Sequence, residues 1–288
     1  MRIARYIPEL GQPSRLGLVG SDRIRPFGEP GAELQALLNG PDPESTIRRL
    51  LDNPPEGEVS LSSVRVLSPI DRQEVWGAGV TYERSKVARQ EESEQGGSFY
   101  DLVYTAPRPE LFFKATPSRV VGLGEFIRVR QDTKWCVPEP ELTLVLSPKM
   151  EIVGYTIGND VSARDIEGEN PLYLPQAKVY DACCALGPVV TLAHAMPPIR
   201  EVEIRLEIER GGKAIVNEST SLARMARKLE DLVQWLGRDS RYPDGVFLLT
   251  GTGIVPPDDF SLAPGDLVRI SIDGIGTLTN SVIQGPIA

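Results

Sequence analysis

The chain has 288 residues, enough to bury a sizeable core as one large domain or two modest ones, which excludes a disulfide-stapled miniprotein. Lys and Arg number 31 against 40 Asp and Glu, a formal net charge of -9, so bulk composition supplies no basic surface for phosphates and nucleic acid is not an expected partner. The opening MRIARYIPEL lacks an apolar signal core, and no segment approaches the ~20 consecutive apolar residues of a membrane span, so no membrane and a cytoplasmic setting are expected.

Residues 1–70 read as a small N-terminal α+β domain. It holds a strand at Arg2 to Ile7, a hairpin at Arg15 to Pro26 and short helices at Ala32 to Leu38 and Glu44 to Leu51. The Pro-Pro pair within Asn53 to Glu56 ends the second helix, and Val59 to Leu67 is an extended connector ending at Pro69. Residues 71–288 then form the catalytic domain, β-rich from Val75 onward, with Gly and Pro marking many turns. A polar helix is predicted at Tyr82 to Glu94. A second, Leu222 to Leu236, carries an apolar stripe at Met225, Leu229, Leu232, Val233 and Leu236. Between them, Val202, Ile204, Leu206 and Ile208 alternate with charged residues as a half-exposed strand, which Gly211-Gly212 turns into a partner at Ala214 to Glu218. Strands at Val246 to Thr250, Leu267 to Ile272 and Thr277 to Ile283 close the chain. No GxGxxG or GxxxxGK[ST] is present, so the usual nucleotide cradles are absent.

The three cysteines, Cys136, Cys183 and Cys184, lack CxxC spacing and read as reduced interior thiols. His194, the single histidine, stands among small apolar residues and reads as a loop or core position. A chain this poor in His has no imidazole cage for a metal.

Cys136 to Leu146 reads CVPEPELTLVL. On a strand, Glu139 and Glu141 share a face with Thr143 while Leu142, Leu144 and Leu146 form the other, which puts two carboxylates within roughly 7 Å. Ser147-Pro148-Lys149-Met150 is a turn, and Ile152 to Ile157 is a second apolar run. If the two pair as a hairpin, facing residue numbers add to about 298 and bring Asn159 or Asp160 opposite Glu139. Three acids at one sheet edge need a cation, and an oxygen-only set without His or Cys suits Mg²⁺ or Mn²⁺.

Further candidates surround this site. Lys178, in LPQAKVYDACCALGP, reads either as a proton acceptor, because a metal cation nearby favours the neutral amine, or as an ordinary salt-bridging lysine. Glu110, in RPELFFK, precedes two Phe and is a candidate proton donor. Asp165 and Glu167 read equally well as hydrogen-bonded structural acids, and Arg164 as a counter-charge to the cluster. Thr250-Gly251-Thr252-Gly253 has the small residues that let backbone amides approach an anionic ligand, or is a plain turn.

With these residues in place, PEPELTLVL, GYTIGNDVSARD, the Lys178 to Pro188 stretch and the TGT loop, in this order, resemble the fumarylacetoacetate hydrolase superfamily over most of residues 70 to 285. The resemblance implies a mixed β-sandwich or roll, in dimers or larger oligomers. By motif match it implies divalent-metal ligation by Glu139, Glu141 and Asp160, an active-site lysine at Lys178 and a substrate-holding threonine at Thr252. VWGAGVTYE, RPELFFKATPSR, DVSARDIEGENPLYLPQAK and CCALGP further resemble the branch of that superfamily that dehydrates 2-keto-3-deoxy-pentonates such as 2-keto-3-deoxy-D-arabinonate. Hydrolase members carry a water-activating His and Glu that align here with Ser85 and Ala88, neither of which can act as the base.

The expectation is therefore a Mg²⁺-dependent hydro-lyase, with a small-molecule 2-keto acid as partner and a homodimer or homotetramer as assembly. It would form 2,5-dioxopentanoate, with Lys178 and Glu110 sharing the proton transfers, Tyr82 and Thr252 orienting the substrate and Arg164 steadying the acids. The alternative on the same fold is an acylpyruvate C-C hydrolase or a keto-acid decarboxylase. A non-catalytic β-rich module with a structural ion is the third reading.

Overall fold

The computed structural model describes residues 1–82, 103–104 and 106–285. The polar helix expected over Tyr82 to Glu94, apart from Tyr82 itself, and the positions Ser85 and Ala88 lie outside the described residues.

The molecule is α+β and β-rich, built on a mixed twelve-stranded sheet and a five-stranded sheet. The hairpin Pro140–Leu146 and Ile152–Asp160 lies in the large sheet, flanked on one side by Cys184–Leu192 and on the other by Val246–Leu249. Val246–Leu249 in turn pairs in parallel with Glu74–Gly79, whose antiparallel neighbour is Glu110–Ala115. The N-terminal strand Arg2–Ile7 pairs with Cys184–Leu192, Arg2 facing Thr191, so the sheet runs on without a break into the first strands of the chain.

The smaller sheet follows from alternation. In Glu203–Arg210, Ile204, Leu206 and Ile208 are buried while their neighbours meet solvent, and Gly211 and Gly212, with φ of +57° and +80°, supply the left-handed turn into Lys213–Ser221. Its apolar side meets Leu142, Leu144 and Ile157 of the large sheet in the main core. A second core on the other side packs Leu34, Leu38 and Ile47 of the helices Leu34–Leu38 and Pro43–Leu51 with Val145 and Phe247. The central hairpin is thus covered on both sides, and every residue of Pro140–Leu146 is buried.

Two local expectations are corrected. In the stretch Leu222 to Leu236 only Leu229–Leu236 is α-helical, and Leu222–Arg224 is a single 3-10 turn. Met225 instead makes an antiparallel bridge with Tyr82, and Ala226 N donates to Thr81 O at 2.9 Å, so that backbone is extended by pairing with a distant segment. The strand expected over Cys136 to Leu146 is split. Cys136–Val137 pairs with Ser162–Ala163, and the chain enters the main sheet at Pro140.

Candidate active site

The hairpin register builds the acidic cluster. Facing residue numbers add to 299 from Pro140/Asn159 to Val145/Gly154, but to 298 at Leu146/Ile152, because an irregularity between Val145 and Leu146 shifts the pairing by one. The shift selects Asp160, not Asn159, as the residue opposite Glu139, and Asp160 N donates to Glu139 O at 3.0 Å. Glu139, Glu141 and Asp160 are all buried, and each offers a carboxylate oxygen within 4.8 Å of the others.

Burial, together with the neighbouring charges of Asp160 and Glu139, raises the Glu141 pKa well above the usual carboxylate range. Its Oε2 accepts a hydrogen bond of 2.5 Å from Gly251 N. Gly251 has φ of +89°, and a Cβ there would stand 2.0 Å from Thr81 Oγ1, so only glycine fits. The backbone of this loop was expected to approach an anionic ligand, and the Gly251 amide is instead spent on Glu141, which turns that carboxylate into the cluster.

The cations arrive from two short helices and a strand. Arg164, at the start of Arg164–Glu169, donates to Glu139 Oε1 at 2.8 Å. Lys178 ends helix Leu174–Lys178, is 1 % exposed, and its Nζ donates to Glu139 Oε2 at 2.7 Å, Asp160 Oδ2 at 3.0 Å and Ser162 Oγ at 2.6 Å. Lys114, on Glu110–Ala115, is fully buried and ion-paired with Asp160. Burial alone would lower the Lys114 pKa, but the Asp160 carboxylate holds it above the ordinary lysine value.

One narrow cleft is lined by Glu110, Glu139, Glu141, Arg164, Lys178 and Thr252, and Phe112 and Glu167 add to its wall. Glu110 faces Gly79 across the sheet, and its carboxylate fills the space a Cβ on Gly79 would need. Thr252 shares its hydroxyl with Ile254 of its own loop, accepting from Ile254 N and donating to Ile254 O. Tyr82 is buried behind the loop, its ring against Gly253, and does not line the cleft. Its phenol pKa is raised by burial and by Glu141, and its hydroxyl has no hydrogen-bond partner among the described residues.

Asp165 is a structural acid, accepting from the Thr133 hydroxyl, from Lys134 N at 2.7 Å and from Ile166 N at 3.0 Å. The three cysteines are free and buried. His194 lies half-exposed on the surface, 3.0 Å from Glu44. Sequence reasoning missed Lys114 and left Glu167 as a structural acid. The signal for Lys114 was a lysine four residues beyond Glu110 on one strand, hence on the same face, within an apolar run.

Chemically the cluster is an oxygen-only donor set. Glu110, Glu139, Glu141, Asp160 and Glu167 carry five formal negative charges against the three positive charges of Lys114, Arg164 and Lys178, which leaves -2 among the described residues. One hard divalent cation balances that residue, and three carboxylates leave coordination positions for small-molecule oxygens, so the residues fit Mg²⁺ or Mn²⁺.

Fold and site together define a metal-dependent enzyme that acts on a small molecule. The chain belongs to the fumarylacetoacetate hydrolase family: the fumarylacetoacetate (FAA) hydrolase C-terminal profile matches residues 74–283. It is 53% identical over 214 residues to a probable 2-keto-3-deoxyxylonate dehydratase of Haloferax volcanii, covering 74% of this chain and 73% of that protein. It is 48% identical over 225 residues to the 2-dehydro-3-deoxy-D-arabinonate dehydratase of Saccharolobus solfataricus, covering 77% and 76%. Among solved structures, a 2-keto-3-deoxy-D-arabinonate dehydratase complexed with magnesium and 2,5-dioxopentanoate superposes with a TM-score of 0.83 at 38% identity over the whole of both chains.

Proposed function

We propose that this protein is a Mg²⁺-dependent dehydratase that converts a 2-keto-3-deoxy-pentonate, such as 2-keto-3-deoxy-D-arabinonate, to 2,5-dioxopentanoate and water in sugar-acid degradation. The observation that carries this reading is the convergence of Glu110, Glu139, Glu141 and Lys178 on one cleft, with Asp160 completing the carboxylate cluster, in a chain 38% identical to a dehydratase solved with magnesium and that product.

Glu139, Glu141 and Asp160 would hold a divalent cation, which when bound would supply electrostatic stabilisation for negative charge developing on the substrate's keto oxygen. Lys178 takes the proton from C3, beside the keto group, and Glu110 gives a proton to the departing C4 hydroxyl; the two roles are interchangeable on this geometry. The C4 hydroxyl leaves as water with the Glu110 proton while the C3 proton stays on Lys178; exchange with solvent returns both residues to their starting states, so the net loss is one water, and tautomerisation of the unsaturated hydroxy acid gives the aldehyde without further change in composition. Phe112, with its ring centroid 5.3 Å from Lys178 Nζ, keeps water from one side of the base. Thr252 and Tyr82 are assigned to substrate orientation, Thr252 from the cleft wall and Tyr82 from behind the loop.

Assembly as a homodimer or homotetramer, a cytoplasmic setting and a division into residues 1–70 and 71–288 belong to the same reading. No helix among the described residues is long and apolar enough to cross a membrane.

The test is incubation with a panel of 2-keto-3-deoxy acids and acylpyruvates with Mg²⁺, with products identified by mass. Loss of 18 mass units from the pentonates is expected, at a kcat/KM well above that of acylpyruvate cleavage. Acylpyruvate hydrolysis at comparable or higher efficiency would place the protein in the hydrolase branch.

A further inference from the structure

Each carboxylate of the triad has one oxygen committed to a fixed partner. Glu139 Oε1 is held by Arg164, Glu141 Oε2 by the Gly251 amide and Asp160 Oδ1 by Lys114. The partner of Asp160 differs from the others in its surroundings. Lys114 is 0 % exposed, does not line the cleft, and its Nζ also donates to Val161 O at 3.0 Å and Lys178 O at 2.6 Å. Two of the ammonium's three donors are taken by these carbonyls, and its charge is ion-paired with Asp160 Oδ1. Lys114 is therefore a fixed cation, with no lone pair to offer a substrate or a metal.

Its three partners are the Asp160 carboxylate, the peptide carbonyl that follows Asp160, and the peptide carbonyl of Lys178. One side chain thus ties the strand that ends in Asp160 to the helix that ends in Lys178. The other oxygen, Asp160 Oδ2, points to the cluster, where Lys178 Nζ meets it.

We propose that Lys114 is the positioning residue of this metal site. It restricts Asp160 to coordination through Oδ2 alone and fixes Lys178 relative to that oxygen. The inference rests on the divalent-ion reading above. Its value to the chemistry is geometric: Mg²⁺ demands near-octahedral coordination, and a carboxylate that took two adjacent positions would occupy one that substrate needs.

The experiment is Mn²⁺ titration of the full-length protein followed by electron paramagnetic resonance, in the wild type and in Lys114→Met, with thermal melts in EDTA alongside. Loss of an outer-shell partner costs ~10–100-fold in metal affinity, so Lys114→Met is expected to bind Mn²⁺ that much more weakly, with an altered spectrum, while remaining folded. A purely structural lysine would lower the melting temperature but leave the Mn²⁺ affinity of the folded protein unchanged, which overturns the proposal. A crystal structure of the wild-type Mn²⁺ complex decides the matter even if the variant does not fold. Asp160 should bind through Oδ2 only, with Oδ1 still on Lys114, and two-oxygen binding by Asp160 overturns the assignment. Absence of Mn²⁺ binding in the wild type would instead overturn the metal reading itself.

Discussion

The Lys178 ammonium stands 2.7 Å from Glu139 Oε2, on an oxygen that a divalent cation would also claim. The same ammonium reaches Asp160 Oδ2 at 3.0 Å, so the proposed proton acceptor and the proposed metal share two ligands. Cation and ammonium would repel at this range, and the proposed proton-acceptor role of Lys178 rests on that repulsion favouring the neutral amine. On the proposed roles, base and metal act as one electrostatic unit.

Lys178→Met is expected to lower kcat by ~10²–10⁴-fold, the usual contribution of a positioned acid or base. Mn²⁺ affinity should stay level or tighten, since the competing ammonium is gone. Calorimetric titration beside steady-state kinetics checks both, and metal binding weakened in proportion to kcat would make Lys178 a structural member of the metal site.

Glu141→Ala removes one of three carboxylates while the hairpin keeps its apolar faces. The divalent-ion requirement should rise by at least ~10²-fold, since even outer-shell losses cost up to that much. The measurement is activity against free Mg²⁺ after exhaustive chelation. Undiminished turnover of the chelated wild type would remove the metal from the reaction.

Gly79→Ala tests Glu110 without touching it. A Cβ at residue 79 would lie 2.1 Å from Glu110 Oε2, and the carboxylate, the far end of a flexible side chain, must move. Stability should change by less than about 1 kcal/mol. Turnover should fall by ~10²-fold, as a displacement of about 1 Å in a catalytic group can cause. Kinetics that match the wild type while Glu110→Gln is impaired would show that the position of Glu110 is not critical.

The raised pKa of Glu141 fixes the sign of a pH effect. A carboxyl group that holds its proton more tightly in the fold than in the unfolded chain destabilises the fold as pH climbs from the ordinary carboxylate range to the raised value. In EDTA the melting temperature should therefore decline across that window. With saturating Mg²⁺ the cation replaces the proton, and the stabilisation by Mg²⁺ should grow as pH rises. Melting curves in both buffers from acid to neutral pH decide it, and a difference between them that does not vary with pH would contradict the coupling.

Much of the site is legible in the linear chain because strands obey a period of two. Alternation alone puts Glu139 and Glu141 on one face, and the Ser147 to Met150 turn folds Asp160 back toward them. The register was not legible: it left Asn159 and Asp160 as equals, and a single irregularity at Val145/Leu146 decides between them. The irregularity leaves Val153 as an extra residue on the second strand, and the uniform apolar run there does not mark it. The long helix at Leu222 to Leu236 shows the same limit, since its apolar spacing is correct but Tyr82 and Thr81, some 140 residues earlier, claim the backbone at Met225 and Ala226. Lys114 is the clearest case. Its buried charge is tolerable only because residues distant in sequence supply a counter-charge, Asp160, and two carbonyl acceptors, on Val161 and Lys178. Periodicity, turns and motif order are local properties and were determined by the sequence alone. The partners of buried charges were decided only by the tertiary structure, because desolvation makes each depend on groups brought close by folding.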